Sequence, residues 1–81
     1  MPVPPASPDL HARIVAALTE ARHAAKLRQV DLAQRLGWQQ AYVSRVETGE
    51  RALAVDEYVA MARAIGVDPL ALLAEVLDPP T

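Results

Sequence analysis

The sequence predicts an all-α protein, folded as one compact bundle of five helices. Apolar residues recur at three- and four-residue steps along most of the chain, and these repeats are interrupted by glycines and prolines. No stretch shows the alternation of a half-buried strand. Of the 81 residues 52% are hydrophobic but only 4% are aromatic, so the interior must consist mostly of Ala, Val, Leu and Ile. Side chains of this size suit short, closely packed helices.

The first predicted helix follows a proline-rich start. Residues 1–7 contain three prolines and are expected to form a disordered arm. Ser7 can cap a helix, Pro8 fits its first position, and Asp9 places an acid in its first turn. This helix is expected to end near Lys26. Its apolar positions are Leu10, Ile14, Leu18, Ala21 and Ala25.

Two short helices come next, separated by only two or three residues. The second is predicted from about Gln29 to Leu36 and ends at Gly37, where a left-handed residue can stop a helix. The third covers about 39–48 and ends at Gly49. The residues expected to face inward are Leu32, Ala33, Leu36, Val43 and Val46.

The fourth and fifth helices are marked by their ends. The fourth begins near Val55 and stops before Gly66, and Asp68 followed by Pro69 gives a cap and a first position for the fifth. The domain is predicted to cover 8–78, with 79–81 as a tail. The fifth helix has a very wide apolar face, formed by Leu70, Leu72, Leu73, Val76 and Leu77. Because this exceeds what the small core requires, we expect Leu72 and Val76 to meet a second subunit.

Composition argues against several classes of protein. The chain has no cysteine, so disulfides and thiolate metal sites are excluded. It shows neither a signal peptide nor an apolar run long enough for a membrane span, so a cytoplasmic protein without membrane contact is expected.

Enzymatic signals are equally weak. His11 and His23 have no companions at metal-ligand spacing, and no glycine-rich phosphate loop is present. Asp56 and Glu57 are interpreted as first-turn acids of the fourth helix rather than paired catalytic carboxylates. The sequence therefore predicts no catalytic residue, cofactor or metal.

Charge is distributed unevenly along the chain. The net charge is -2, but residues 22–52 contain six basic and three acidic side chains, whereas the remainder contains two basic and seven acidic ones. A basic middle between acidic ends is compatible with nucleic-acid binding but does not establish it.

The third helix divides into two faces at about 100° per residue. Val43 and Val46 lie on one side. The other side has groups that suit the DNA major groove: Gln can bond adenine, Arg can bond guanine, and Ala can meet a thymine methyl group. These residues, expected to contact bases, are Gln40, Ala41, Ser44 and Arg45.

Residues 18–73 resemble the Cro-like (Xre) helix-turn-helix family of phage-repressor type. The similarity is distributed over the segment and includes Gln29, Leu32, Ala33, Gly37, Val43, Glu47, Gly49 and the Gly-Val-Asp-Pro-Leu sequence at 66–70. It implies a phage-repressor-like fold in which helix two crosses the DNA backbone and helix three enters the major groove. It also implies that Gln29 contacts a phosphate and steadies Gln40, and that Arg22 pairs with Glu47. Further backbone contacts are expected from Gln39, Tyr42 and Arg51.

One departure from the family concerns Arg28, which occupies the cap of helix two where relatives usually have Ser or Thr. Losing such a cap costs ~1 kcal/mol, and a phosphate contact by Arg28 would compensate. The sequence thus predicts a transcriptional regulator that binds double-stranded DNA as a homodimer. The alternative is an antitoxin or adaptor on the same fold, whose main partner is another protein.

Overall fold

A computed structural model of the chain describes residues 8–79. The predicted arm at 1–7, with its Ser7 cap, and the last two residues of the tail lie outside the described residues. Within 8–79 the structure contains five helices and no strand, which confirms the predicted fold class. The helices are α1 (Pro8–Ala24), α2 (Gln29–Leu36), α3 (Gln40–Thr48), α4 (Val55–Ile65) and α5 (Pro69–Leu77).

The core lies where α1, α2, α3 and α4 meet. Leu32, Val43, Val46 and Met61 are fully buried, and Leu18 of α1 closes the cluster from the opposite side. Truncating a buried side chain of this size to Ala typically costs ~2–5 kcal/mol. The short helices are therefore stabilised mainly by packing, since isolated helices of this length are marginal in water.

The end of α1 differs from the prediction. The helix stops at Ala24 rather than near Lys26, because Lys26 adopts a left-handed conformation with φ 63°. The Leu27 amide donates to the Arg22 carbonyl at 3.1 Å, and the Lys26 amide donates to the His23 carbonyl at 3.0 Å. These bonds form the termination that usually has glycine at the left-handed position.

Two helices begin without a side-chain acceptor at the capping position. Arg28 precedes α2 and Ala54 precedes α4, and neither side chain can accept a hydrogen bond. In each case an acid three residues later accepts from the cap's backbone amide: Asp31 Oδ2 from Arg28 at 2.8 Å, and Glu57 Oε1 from Ala54 at 2.9 Å. This is one half of a capping box.

Arginines from neighbouring helices bind carbonyls at two helix ends. Arg35 of α2 donates to the Ala64 carbonyl of α4 at 2.9 Å. Arg13 of α1 donates to the Val76 carbonyl of α5, a helix without a basic residue in its own last turn. A cation at a helix C-terminus favours the helix dipole, so these contacts also attach α4 and α5 to the bundle.

The orientation of α5 corrects the sequence-based expectation. Val76 is only 8% exposed and Leu72 is half-buried against the core, so the side expected to face a partner is turned inward. The outward side carries Leu70 and Leu77, which are 77% and 59% exposed. The physical reason is that α5 is apolar on nearly every side, so periodicity alone cannot say which side packs inward.

None of the helices between residues 8 and 79 combines the length and apolarity needed to cross a bilayer.

Candidate nucleic-acid interface

The helices α2 and α3 are joined by a tight turn of three residues, 37–39. Gly37 has φ 72°, and the next amide, that of Trp38, donates back to the Ala33 carbonyl at 3.0 Å. Val43 and Val46 are completely buried and fix the inner side of α3 to the core. The outer side of α3 therefore faces solvent on a helix that is held firmly against the core.

The four residues expected to contact bases lie together on the surface of α3. Gln40, Ala41 and Arg45 are exposed, while Ser44 is half-buried. The Arg51 amide donates to the Arg45 carbonyl at 3.2 Å, which brings the following loop back against the end of α3. An amide, a methyl group and a guanidinium thus share one solvent-facing surface, and these groups match the donors, acceptors and methyl groups of base edges.

Behind this surface is a buried ion pair between α1 and α3. Arg22 donates from Nε to Glu47 Oε2 at 2.7 Å and from Nη2 to Glu47 Oε1 at 2.8 Å. Both side chains are 7% exposed. The guanidinium also donates from Nη1 to the Leu27 carbonyl at 2.8 Å. The bidentate geometry fixes the distance and angle between the two helices.

Gln29, the first residue of α2, joins the same network. Its Nε2 donates to Glu47 Oε1 at 2.9 Å, so its hydrogen bond goes to Glu47 and not to Gln40 as the sequence led us to expect. A buried carboxylate attracts nearby donors more strongly than an exposed amide does. Through this single carboxylate, α1, α2 and α3 are held together.

An open groove lies beside the start of α2. It is lined in part by Lys26, Arg28, Gln29 and Gln40, which come from the end of α1, the start of α2 and the start of α3. Arg28 is exposed and forms a salt bridge with Asp31 at 2.9 Å. The hydrogen bonds and charge of Arg28 lower the pKa of Asp31 to about 2. Two cations and a helix N-terminus make this groove suitable for an anion.

A second polar cluster lies on the other side of α3, where α3, the following loop and α4 meet. The Tyr42 hydroxyl donates to Glu57 Oε2, and Arg51 Nη2 lies 3.4 Å from the same oxygen. The Arg51 guanidinium lies over the Tyr42 ring, 4.4 Å from its centroid, and Trp38 packs edge-on against that ring at 4.7 Å. We call Tyr42, Arg51 and Glu57 the Glu57 cluster.

Hydrogen bonds and burial shift the pKa values of the Glu57 cluster. The Tyr42 hydrogen bond, followed by that of the Ala54 amide, lowers the pKa of Glu57. Burial, followed by the hydrogen bond to Glu57, raises the pKa of Tyr42. Near neutral pH the cluster therefore contains a carboxylate, a neutral phenol and a guanidinium.

The contacts of Glu57 were not predicted from the sequence. It was interpreted only as a first-turn acid, because its contact with Tyr42 joins residues 15 apart in the chain. Its position three residues after the cap does predict the bond to the Ala54 amide. No local pattern predicts the contacts to Tyr42 and Arg51, which depend on the packing of α4 against the α2–α3 unit.

Comparison with known proteins identifies the family. The sequence pattern described as "Helix-turn-helix domain" matches residues 13–76. A search of curated protein sequences gave no significant match.

Several solved structures are similar to this chain. An XRE-family like protein from Pseudomonas syringae shares 41% identity, with 88% of this chain and 89% of that chain covered, at a TM-score of 0.83. The restriction-modification controller protein C.AhdI from Aeromonas hydrophila shares 32% identity over 82% of this chain and 98% of its own, at a TM-score of 0.71. The similarity to the restriction-modification controller protein C.Esp1396I covers 93% of this chain and 100% of that chain, at a TM-score of 0.78. The two sequences are only 17% identical, so this similarity supports the fold alone.

The family pattern covers most of the described residues, and the Pseudomonas protein is similar along nearly its full length. The resemblance seen in the sequence is therefore confirmed, and this chain belongs to the XRE-type helix-turn-helix domain family.

Proposed function

We propose that this protein is a sequence-specific DNA-binding transcriptional regulator that acts as a homodimer. The observation that carries the proposal is the outer face of α3, where Gln40, Ala41 and Arg45 are exposed on a helix whose inner side is fully buried. Helix-turn-helix proteins place this helix in the major groove. The name of one similar structure, the restriction-modification controller protein C.AhdI, agrees with a regulatory role.

In this proposal the side chains of α3 read bases and its surroundings bind the DNA backbone. Arg45 donates two bonds to a guanine, Gln40 bonds an adenine, Ala41 meets a thymine methyl group, and Ser44 contributes from its half-buried position. The residues proposed to contact phosphates are Arg28, Gln29, Gln39 and Arg51. The sequence also led us to expect a phosphate contact from Tyr42, but its hydroxyl donates its one proton to Glu57, so we propose no such contact for it. Because phosphate contacts carry no sequence information, only the base-contacting residues of α3 determine which operator is preferred. In this proposal the protein binds DNA without catalysing a reaction, and it does so in the cytoplasm.

The homodimer is proposed from the outward side of α5. Leu70 and Leu77 are two turns apart and strongly exposed, with the exposed Ala74 between them. Such a stripe is more apolar than a solvated helix face requires. It replaces the interface expected at Leu72 and Val76, which pack inward. A two-fold dimer would place two α3 helices about one DNA turn, ~34 Å, apart.

The test compares Arg45→Ala with Arg51→Ala on an operator selected from a random-sequence duplex pool, across a salt series. Arg45→Ala should cost ~1–3 kcal/mol and relax the preference at one position of each half-site. Arg51→Ala should weaken all sequences about equally and reduce the salt slope by ~0.9 per subunit. Failure to select any sequence would refute the proposal and favour the protein-binding alternative.

A further inference from the structure

We propose that Glu57 is a positioning residue for the nucleic-acid interface, through its simultaneous hold on Tyr42 and Arg51. The inference rests on the proposed function, because it concerns how the proposed phosphate contact of Arg51 is placed before DNA arrives. The Tyr42 hydroxyl donates its one proton to Glu57, and the Tyr42 ring supports the Arg51 guanidinium. Glu57 itself is on α4 and is not proposed to touch DNA.

The two oxygens of Glu57 have separate tasks. Oε1 accepts from the Ala54 amide at 2.9 Å and so fixes the carboxylate to the start of α4. Oε2 accepts from the Tyr42 hydroxyl and faces Arg51 Nη2 at 3.4 Å. Tyr42 lies in the first turn of α3, and Arg51 lies in the loop that follows α3. One carboxylate therefore connects both ends of the proposed reading helix to α4.

Arg51 is held in a way that leaves donors available. Its guanidinium stacks on the Tyr42 ring at 4.4 Å, and its side chain is 48% exposed. A guanidinium has five N–H donors in a planar fork, so a contact at one Nη2 leaves the others for a phosphate. Fixing a flexible side chain before binding removes part of the entropy cost of ordering it at an interface.

Fixing Arg51 favours DNA binding, but the negative charge of Glu57 opposes it, because a carboxylate repels phosphates. A carboxylate near the DNA backbone weakens binding unless it does something else that favours binding. The two roles predict opposite outcomes when the charge is removed. If Glu57 is only an acid near the interface, neutralising it strengthens binding; if it positions Arg51, neutralising it weakens binding.

Glu57→Gln is the informative variant and Asp56→Asn is its matched control. A glutamine side chain has one oxygen that accepts and one NH₂ group that donates. If the oxygen of Gln in Glu57→Gln still accepts from the Ala54 amide, its NH₂ group must face Arg51. Two donors then face each other, and Arg51 loses its hydrogen-bond acceptor. Asp56 is exposed, precedes Glu57 in the same turn and, within residues 8–79, accepts only the Glu57 amide, at 3.0 Å. Both substitutions remove one negative charge at nearly the same place.

The experiment measures binding of the full chain and both variants to a fluorescently labelled mixed-sequence duplex, over a salt series. Asp56→Asn should bind as tightly as the unmodified chain or more tightly, with an unchanged salt slope. Glu57→Gln should bind more weakly, by up to about fivefold, with a shallower salt slope because Arg51 is less often on a phosphate. Circular dichroism checks that both variants keep their helices.

A second readout follows Tyr42 directly. In Glu57→Gln the pKa of Tyr42 should fall towards its ordinary value, because the hydrogen bond to the carboxylate helps to raise it. Tyr58, whose pKa is raised by burial first and whose hydroxyl donates to the Pro69 carbonyl at 2.7 Å, serves as an internal reference. The fluorescence of Trp38, edge-on to Tyr42, should change in Glu57→Gln and not in Asp56→Asn.

The outcomes separate the two proposals. If the unmodified chain does not bind the duplex at low salt, the proposed function fails, and a role of Glu57 at a DNA interface fails with it. If the unmodified chain binds but Glu57→Gln binds as tightly as Asp56→Asn, the proposed function stands and the positioning role is refuted.

Discussion

Glu47→Ala tests whether the network behind α3 is required for folding. The substitution removes both short bonds to Arg22, at 2.7 and 2.8 Å, and the acceptor of Gln29 at 2.9 Å. The Arg22 side chain is 7% exposed and keeps only the Leu27 carbonyl at 2.8 Å and the His23 ring at 3.1 Å. A charge left buried in this way costs ~3–5 kcal/mol.

This cost is a large part of the total stability of a small domain, which is ~5–15 kcal/mol. For domains of 60–100 residues, ~1 kcal/mol shifts the Tm by ~4–8 °C, so Glu47→Ala should lower it by at least ~12 °C. The assay is thermal and urea unfolding followed by circular dichroism of the helices. Glu50→Ala is the control, since it removes the same charge from an exposed position nearby and should stay within ~0.5 kcal/mol.

Equal melting temperatures for Glu47→Ala and Glu50→Ala would show that the pair contributes no more than a solvated one. The double variant Arg22→Met with Glu47→Leu identifies the cause of any loss. Replacing a buried pair by apolar residues of similar size is often neutral, so much of the stability should return. If the double variant is as unstable as Glu47→Ala, the stranded charge is not the cause.

Three further predictions concern pH, assembly and a turn. The pKa of Asp31 is lowered from 3.8 to about 2, chiefly by its hydrogen bonds with Arg28. The ionised Asp31 therefore stabilises the fold fully above about pH 4, and this stabilisation is lost as the pH falls through about 2. Asp31→Asn should lose less stability between about pH 4 and 2 than the unmodified chain does, as measured by acid titration of circular dichroism. Leu70→Glu with Leu77→Glu should give a monomer by light scattering without loss of helix, and an unchanged dimer mass would exclude α5 from the interface. Gly37→Ala should cost ~1–2 kcal/mol in urea unfolding. Because no atom beyond the adjoining residues lies within 4 Å of the added Cβ, this cost comes from φ 72°, and a neutral result would contradict that reasoning.

The fold was largely predictable because its helix ends depend on local sequence. Gly37, Gly49 and Gly66 all have positive φ and end their helices at the predicted positions, and Asp68 caps α5 by accepting from the Leu70 amide at 3.0 Å. The end of α1 was predicted two residues too late, because a lysine takes the left-handed position. At a residue other than glycine such a conformation depends on the bonds made by the surrounding turn, and a lysine does not indicate it.

The site was predictable only where it depends on periodicity. The exposure of Gln40 and Arg45 follows from the positions of Val43 and Val46 on the same helix, so it could be read from the sequence. The direction of α5 could not be, because Glu75 is the one charged residue of that helix and does not define a polar side. The contacts of Glu57 depend on how separate helices pack, and spacing along one helix carries no information about that.

The left-handed backbone at Lys26 has a consequence for the engineering of the domain. Within residues 8–79 it is the non-glycine residue with positive φ, a conformation that costs an L-residue ~1–2 kcal/mol. Its side chain borders the groove shared with Arg28 and Gln40. A glycine would relax the turn but remove a positive charge from that groove, so Lys26→Gly should raise thermal stability and reduce the local positive potential together. At this position a stable turn and a cationic surface therefore place opposite demands on the residue.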